Sequence, residues 1–220
     1  RGYVDDKNPT DSVVKESVAS AFWMVHRMWH LAKYRLGLST ALGGTGMCIR
    51  TFIIRDYGWD CTSLTEDMEF SMKLLTHGIR TCWGHDAIVY DEKVITFMAS
   101  CRQRLRWAQG QFDCANRYIP KLFVIGVKEG NWMILDGIFQ ITQPYFLMLT
   151  TLYLIFSYIN AYIPIYTNIL YQIMPVTVWT IIGVGQYLFP LIVLLKIKVP
   201  PKVWLYYLLY PLFVYSWIPV

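Results

Sequence analysis

The feature that most constrains the fold is a long stretch without charge in the second half of the chain. From Gly137 to Leu195 there is no Asp, Glu, Lys or Arg. Apolar residues dominate three runs, at Ile138 to Tyr158, Met174 to Leu195, and Val203 to the end. Because a helix needs roughly 20 apolar residues to cross a bilayer, the first two runs are long enough to do so. We therefore expect a transmembrane region over 137–220, with about three helices, the last of them truncated.

The few cations around these runs predict how they are oriented. Lys121 and Lys128 precede the first run and three lysines follow the second, whereas Asn160 to Gln172 between them has no Lys or Arg. Cytoplasmic loops are enriched in Lys and Arg, so the first half is predicted to be cytoplasmic, at the plasma membrane. Segment 119–136 mixes Pro, Lys, Gly and aromatic residues, as an interfacial segment does.

The overall charge argues for a membrane surface rather than nucleic acid as a partner. The net charge of +5 comes from a mixed-charge first half and a few lysines beside the apolar runs. That distribution is typical of a protein that faces the cytoplasmic side of a membrane. The sequence carries no zinc-finger or RNA-binding signature, so nucleic acid is not an expected partner.

A helix predicted from Phe97 to Tyr118 carries the most specific motif. Gln103, Arg106 and Trp107 fall on one face, since Arg106 and Trp107 each lie within about 60 degrees of Gln103. A guanidinium fits phosphate oxygens and an indole is a flat platform for a sugar ring, so this face suits a nucleotide sugar with its acceptor. A solvated basic helix whose Trp packs on a neighbouring domain or a membrane surface gives the same pattern. The opposite, buried face is predicted from spacings of four and three to comprise Cys101, Leu105, Ala108, Phe112 and Ala115.

A second helix is predicted to begin after Thr65, a natural N-cap. Glu66 and Asp67 then lie in the first turn, where free N–H groups and the helix dipole favour negative charge. Acidic residues are common in first turns, so the position alone does not establish a chemical role.

The first ninety residues alternate between predicted strands and helices. A long helix is expected after an Asp11 or Ser12 cap. His26 and His30 are expected on its surface, with a metal site as the alternative, although no third ligand is indicated. The core-facing stripe of this helix is predicted to be Val14, Val18, Phe22, Val25, Trp29, Ala32 and Leu36. Strands are predicted at Arg1–Val4, Met47–Arg50, Ile79–Trp83 and Ala87–Tyr90.

A glycine-rich loop, Gly43-Gly44-Thr45-Gly46, separates the long helix from the acidic turn. Three glycines in four residues permit close approach of another molecule to the backbone. The loop lacks the Lys and Ser/Thr of a phosphate-binding P-loop and the preceding strand of a dinucleotide fingerprint. It can contact a substrate, or it can simply turn the chain.

The order of these motifs resembles the membrane-bound family 2 glycosyltransferases, which include the cellulose, hyaluronan and poly-N-acetylglucosamine synthases. Thr65-Glu66-Asp67 looks like the T-E-D motif of that family, and Gln103-Arg104-Leu105-Arg106-Trp107 matches its Q-x-x-R-W motif. The resemblance covers most of the chain. It implies a GT-A type α/β glycosyltransferase domain, present here as its acceptor-side, C-terminal half over 1–118. The interfacial segment 119–136 and transmembrane α-helices over 137–220 would follow.

The resemblance also implies a reaction and its site residues. The family transfers a sugar with inversion from a nucleotide sugar, usually a UDP-sugar, to a growing polysaccharide at the cytoplasmic membrane face. Asp67 would be the general base and Glu66 would support it. The donor diphosphate would be held by Gln103 and Arg106. The acceptor would be bound by Trp107, Gly44, Thr45 and Gly46. The expected partners are a nucleotide-sugar donor, a glycan or lipid-linked acceptor, and the lipid bilayer.

The family's metal-binding D-x-D motif is absent from this sequence, and Asp5-Asp6 does not replace it. Mg or Mn is therefore expected only for the full-length enzyme, with ligands upstream of Arg1, and the 220-residue chain alone is expected to be inactive. Two alternatives stay open. One is a single-addition glycosyltransferase that acts on a lipid carrier. The other is a non-catalytic membrane protein.

Overall fold

The structure, a computed structural model, describes residues 1–7, 11–162, 176–197 and 199–217. The first half comprises strand β1 (Gly2–Asp6), helix α1 (Val13–Met24), a π-helical segment (Val25–His30), α2 (Leu31–Arg35), α3 (Thr51–Tyr57), α4 (Glu66–Thr76) and β2 (Gly84–Asp91). The remaining elements are α5 (Phe97–Glu129), α6 (Trp132–Ile141), α7 (Gln143–Tyr162), α8 (Val176–Ile197), α9 (Pro201–Tyr207) and α10 (Tyr210–Tyr215).

The two strands of the described residues form a parallel pair, with Val4 opposite Val89 and Asp6 opposite Asp91. Parallel strands need a long crossover connection, which α1 to α4 supply. The predicted strands at 47–50 and 79–83 are wrong, since both segments lack regular structure. At Thr81 a side chain takes the place of a strand partner, because the Thr81 N–H donates to Ser39 Oγ at 3.1 Å.

The buried face of the first long helix differs from the predicted stripe. Ser12 caps α1 as predicted, its Oγ accepting from the Lys15 N–H at 3.0 Å. The π-helical segment then turns the helix face, because its wider turn places residues out of α-helical phase. Trp29 is 44% exposed and Leu36 is 74% exposed, whereas His26 is 0% exposed. The prediction that His26 and His30 lie on the surface is therefore wrong.

Helix α5 is longer than predicted and buries another face. It continues past Tyr118 to Glu129 with Pro120 inside it. Leu105, predicted to be buried, is 43% exposed, while Arg104 is 1% exposed. The residues that α5 buries are Ser100, Arg104, Gly110, Cys114, Ala115, Tyr118, Leu122 and Gly126.

Among the residues that the structure describes, the core has three clusters of buried side chains. One joins α4, α5 and α6 through Leu75, Leu122 and Ile134. A second brings the C-terminal helices onto α1 and β1, with Leu194 and Tyr207 packed among other buried aromatic and aliphatic residues. The third lies between α4 and the glycine-rich loop. The C-terminal helices thus share a core with the first half of the chain.

The apolar runs form helices whose bounds differ from those expected. The first run is divided at Thr142, where α6 ends and α7 begins. Within the described ranges, no helix combines the length and hydropathy that a bilayer crossing requires, so these residues do not support the expected transmembrane helices. The loop predicted to lie outside the membrane falls largely on 163–175, beyond the described residues. The predicted division at 118 and 136 stays a prediction.

Candidate active site

The acidic turn is held directly against α5. Helix α4 begins at Glu66, as predicted, with Thr65 in the N-cap position. The Thr65 side chain makes no capping bond and packs on α5 instead, where a Cβ added at Gly110 would lie 2.5 Å from Thr65 Oγ1. Ser63 Oγ donates to the Gly110 carbonyl at 3.1 Å. Only glycine permits this approach, so Gly110 sets where the acidic turn meets the central helix.

A third carboxylate, Glu69, holds the loop before Asp67 and was not singled out from the sequence. Its Oε2 accepts the backbone N–H of Thr62 at 2.8 Å and of Ser63 at 2.7 Å. Its Oε1 accepts from Arg117 Nη1 on α5 at 2.7 Å. The only sequence signal was its place in the first turn of an acidic helix. This buried carboxylate is well satisfied, so its role is to fix the turn.

Asp67 lies beside the glycine-rich loop. A Cβ added at Gly44 would be 3.9 Å from Asp67 Oδ2, and Asp67 Oδ1 accepts the Met68 N–H at 2.7 Å. Arg1, which sequence reasoning also missed, packs its guanidinium against Gly43 and donates to the Leu42 carbonyl at 3.2 Å. The loop therefore has a cation on one side and the acidic turn on the other.

The surroundings of Asp67 make its carboxylate a stronger base than usual. Burial raises its pKa above the ordinary value, and the charge of Glu66 raises it further. Hydrogen bonding by the backbones of Met68 and Gly44 and the charge of Arg1 act in the opposite direction. A partly buried carboxylate with a raised pKa beside an accessible backbone is typical of a proton-accepting site.

A chain of contacts leads from the glycine-rich loop to Trp107. Asp91 Oδ2 accepts two hydrogen bonds, one from Thr45 Oγ1 at 3.5 Å and one from Lys93 Nζ at 3.0 Å. Lys93 Nζ lies 4.1 Å from the ring centre of Phe22. Phe22 in turn lies 6.2 Å from the Trp107 ring, centre to centre. These contacts link the glycine-rich loop to the indole through the buried Lys93 and the ring of Phe22.

Gln103 and Trp107 lie together, but Arg106 is separate from them. Gln103 and Trp107 line a cavity of about 30 Å³, and Arg106 is exposed and does not line it. Gln103, Trp107 and Gly110 follow at intervals of four and three, so they share one helix face. Trp107 is thus about 4.5 Å along α5 from Gly110, the point where the acidic turn is attached.

The described residues do not fit a divalent metal. Within the described ranges, no group of three or more His, Cys, Asp or Glu side chains could hold an ion. The carboxylates at the ends of the two strands already have partners: Asp5 accepts from Trp23 Nε1 at 2.8 Å, Asp6 lies 3.5 Å from Lys15 Nζ, and Asp91 pairs with Lys93.

Comparison with known proteins gives two results. The chain is 30% identical over 105 residues to the "Probable glycosyltransferase YdaM" of Bacillus subtilis (strain 168). The aligned part is 47% of this chain and 24% of that protein, so the chain spans about a quarter of its relative. The sequence model of glycosyl transferase family group 2 matches residues 4–218, nearly the whole chain. With this match over the acidic turn, the glycine-rich loop and the Gln103–Trp107 face, the chain belongs to glycosyl transferase family group 2.

Proposed function

We propose that this chain forms the acceptor side of an active site that transfers a sugar, with inversion, from a nucleotide sugar to a growing polysaccharide. Family membership supports glycosyl transfer. The observation that carries the finer proposal is the chain of contacts that links the loop beside Asp67, through Asp91 and Lys93, to Trp107. An acceptor sugar needs both a base and a flat apolar platform.

The proposed chemistry is a single displacement. The Asp67 carboxylate takes the proton of the acceptor hydroxyl while that oxygen attacks the anomeric carbon of the donor. The bond between the anomeric carbon and the phosphate oxygen breaks, and the nucleoside diphosphate leaves with the electron pair. Attack from the face opposite the leaving group inverts the anomeric configuration. Glu66, exposed in the same turn, supports Asp67 through its charge, which raises the base's pKa.

The remaining residues bind the two substrates. The exposed Arg106 guanidinium is proposed to bind donor phosphate oxygens, and the Gln103 amide is proposed to bind the same diphosphate. Trp107 stacks on the terminal sugar of the acceptor, with Gly44, Thr45 and Gly46 bordering it. Gly46 has φ +67°, a backbone conformation that glycine adopts readily, so the loop keeps its shape without side-chain bulk.

We place this reaction at the cytoplasmic face of the plasma membrane. Support comes from the exposed apolar side chains of 119–136, where Phe123 is 57%, Val127 58% and Trp132 79% exposed. Lys121 and Lys128 accompany them. Apolar rings flanked by lysines suit the boundary between headgroups and acyl chains. A divalent cation, Mg or Mn, is proposed for the longer protein, with ligands outside the described residues.

The deciding experiment measures sugar transfer by the full-length protein with a panel of radiolabelled UDP-sugars. We expect Asp67→Asn to abolish transfer and Trp107→Ala to raise the KM for the acceptor, with Trp29→Ala, at a 44% exposed indole, as the matched control. Large products indicate a polymer, and a single added sugar on lipid indicates the lipid-carrier alternative. Unchanged transfer in both variants would overturn the roles of Asp67 and Trp107, and absence of transfer by the wild type with every UDP-sugar would favour the non-catalytic alternative. Turnover by the purified 220-residue chain would overturn its proposed inactivity.

A further inference from the structure

Arg104 is the largest fully buried side chain among the described residues, at 1% exposure. Within the same residues its guanidinium forms no ion pair with a carboxylate. A cation removed from water without a counter-charge is unfavourable unless other groups replace its hydration. The groups that replace the hydration of the Arg104 guanidinium therefore indicate its role.

Part of the replacement is local. Arg104 Nη2 lies 3.3 Å from Cys101 Sγ, and Nε donates to the Ser100 carbonyl at 3.4 Å. The guanidinium carbon is also 5.7 Å from the ring centre of Phe97. These partners are on α5 itself. The bond to the Ser100 carbonyl is long and a thiol sulfur is a weak acceptor, so local contacts alone do not satisfy the cation.

The closer partners come from the segment 210–217, which we call the C-terminal segment. Arg104 Nη1 donates to Ser216 Oγ at 2.9 Å. The guanidinium carbon lies 5.0 Å from the Phe213 ring centre and 5.2 Å from that of Trp217. Cations are attracted to aromatic faces, most strongly where water is excluded. Arg104 thus ties the C-terminal segment to the helix that carries Trp107.

The same segment reaches the acceptor side of the site. Phe213 and Trp217 line the cavity of about 30 Å³ that Gln103 and Trp107 also line. That volume is enough for about one water molecule, so the C-terminal segment leaves little freedom on this side of the Trp107 indole. The orientation of the indole depends on a wall that Arg104 holds in place.

We propose that Arg104 is a positioning residue that docks the C-terminal segment on α5 and thereby orients Trp107 for the acceptor sugar. This inference rests on the proposed acceptor role of Trp107. Arg104 acts through the segment and does not touch the substrate.

The test compares Arg104→Met and Arg104→Lys with Arg102→Met in the full-length protein. Arg102 is an exposed cation two residues away on the same helix, so it controls for loss of charge. Lys keeps the charge but loses the planar fork that spans Ser216 and the rings. Two quantities are measured: hydrogen exchange of the backbone amides of 210–217, and kinetics with donor and acceptor varied separately.

We expect both Arg104 variants to speed exchange in the segment and to raise the KM for the acceptor about tenfold, with kcat and the donor KM within about twofold. Arg102→Met should resemble the wild type in both hydrogen exchange and kinetics. Unchanged exchange in the Arg104 variants would overturn the docking. Faster exchange with an unchanged acceptor KM would overturn the positioning role. A fall in kcat with a similar rise in both KM values would also overturn the positioning role, because that pattern indicates general unfolding.

Variants on the other side of the contact decide the matter if Arg104 variants do not fold. Trp217→Ala should reproduce the rise in acceptor KM and Trp217→Phe, which keeps a ring face, should restore it. Trp107→Ala is assayed in parallel. An unaffected Trp107→Ala enzyme would contradict the proposed function, whereas altered kinetics there with unaltered Trp217→Ala would contradict this inference alone.

Discussion

Asp67 lies beside Gly44, where a Cβ added to the glycine would be 3.9 Å from Asp67 Oδ2 and in van der Waals contact with it. The carboxylate is therefore bordered by backbone on this side, in a place where most residues would present a side chain. An acceptor hydroxyl needs such a gap to come within hydrogen-bond distance of its base.

Replacing Asp67 by Asn tests its role and its energetics together. We expect transfer to fall by about 10²- to 10⁴-fold, because the amide cannot accept the hydroxyl proton. Since burial raises the pKa of Asp67, its ionised form destabilises the folded state at neutral pH, and the Asn variant should melt at an equal or higher temperature. Thermal unfolding at pH 7.5 and turnover are the measurements. Exposed Glu66→Gln is the control, with a smaller loss of activity; a lower melting temperature for Asp67→Asn would contradict the argument.

The pH dependence of transfer should report the same carboxylate. A base must be ionised, so kcat/KM should fall as the pH falls through the pKa of Asp67. This pKa is raised above that of an ordinary Asp, which is about 3.9. Stability changes the other way: a raised folded-state pKa stabilises the protein at low pH, and this contribution is lost as the pH rises. An acidic limb at the position of an unperturbed carboxyl would show that Asp67 is not the base.

Glu16 on α1 should make stability depend on pH near neutrality. It is 0% exposed, its Oε1 accepts from Ser20 Oγ at 2.6 Å, and burial raises its pKa to about 7. Between an unfolded-state pKa of about 4.3 and that value the folded state keeps the proton longer, so stability falls as the pH rises. Relative to Glu16→Gln, the wild type should lose on the order of 2 to 3 kcal/mol between pH 4.5 and pH 8.

Denaturant unfolding at several pH values measures this difference. The exposed Glu129→Gln variant should keep the wild-type slope. A Glu16→Gln variant with the same pH dependence as the wild type would contradict the assignment.

Gly110→Ala should be destabilising although it improves helix propensity. Gly to Ala inside a helix normally stabilises by up to about 1 kcal/mol. At Gly110 the new Cβ would lie 2.7 Å from the Thr65 backbone nitrogen, so α5 and the acidic turn must separate, with a net loss of about 1 to 3 kcal/mol. Gly185→Ala in α8, where the Cβ meets open space, is the matched control. Chemical denaturation of both variants checks the difference in sign, and a stabilised Gly110→Ala protein would refute the close approach.

Local sequence signals predicted some elements well. The Ser12 cap, the start of α4 at Glu66 and the start of α5 at Phe97 follow from capping residues and apolar spacing, which act within one or two turns. The spacing of 103, 106 and 107 placed three functional groups on one side of α5. It could not show that Arg106 lies in solvent while Trp107 packs on Phe22, because those contacts come from α1.

Other predictions failed because distant partners outweighed the local pattern. Leu105 is exposed and Arg104 is buried since the C-terminal segment supplies a hydroxyl and two rings for the cation. His26 is buried because a π-helical segment changes the phase of the helix. The prediction assumed the 3.6-residue period of an α-helix throughout and therefore missed this change. Glu69 and Arg117 pair across 48 residues, a contact that only the packing of α4 on α5 creates.

The amino-acid sequence by itself determined the family, the acidic turn and the order of the motifs, because these depend on residue identity and short spacing. Tertiary structure decided which face of α5 is buried, which groups surround Asp67, and how the C-terminal segment meets Trp107. The physical reason is that burial, desolvation and the partners of a buried cation are set by atoms far apart in the chain, and these meet only when the chain has folded.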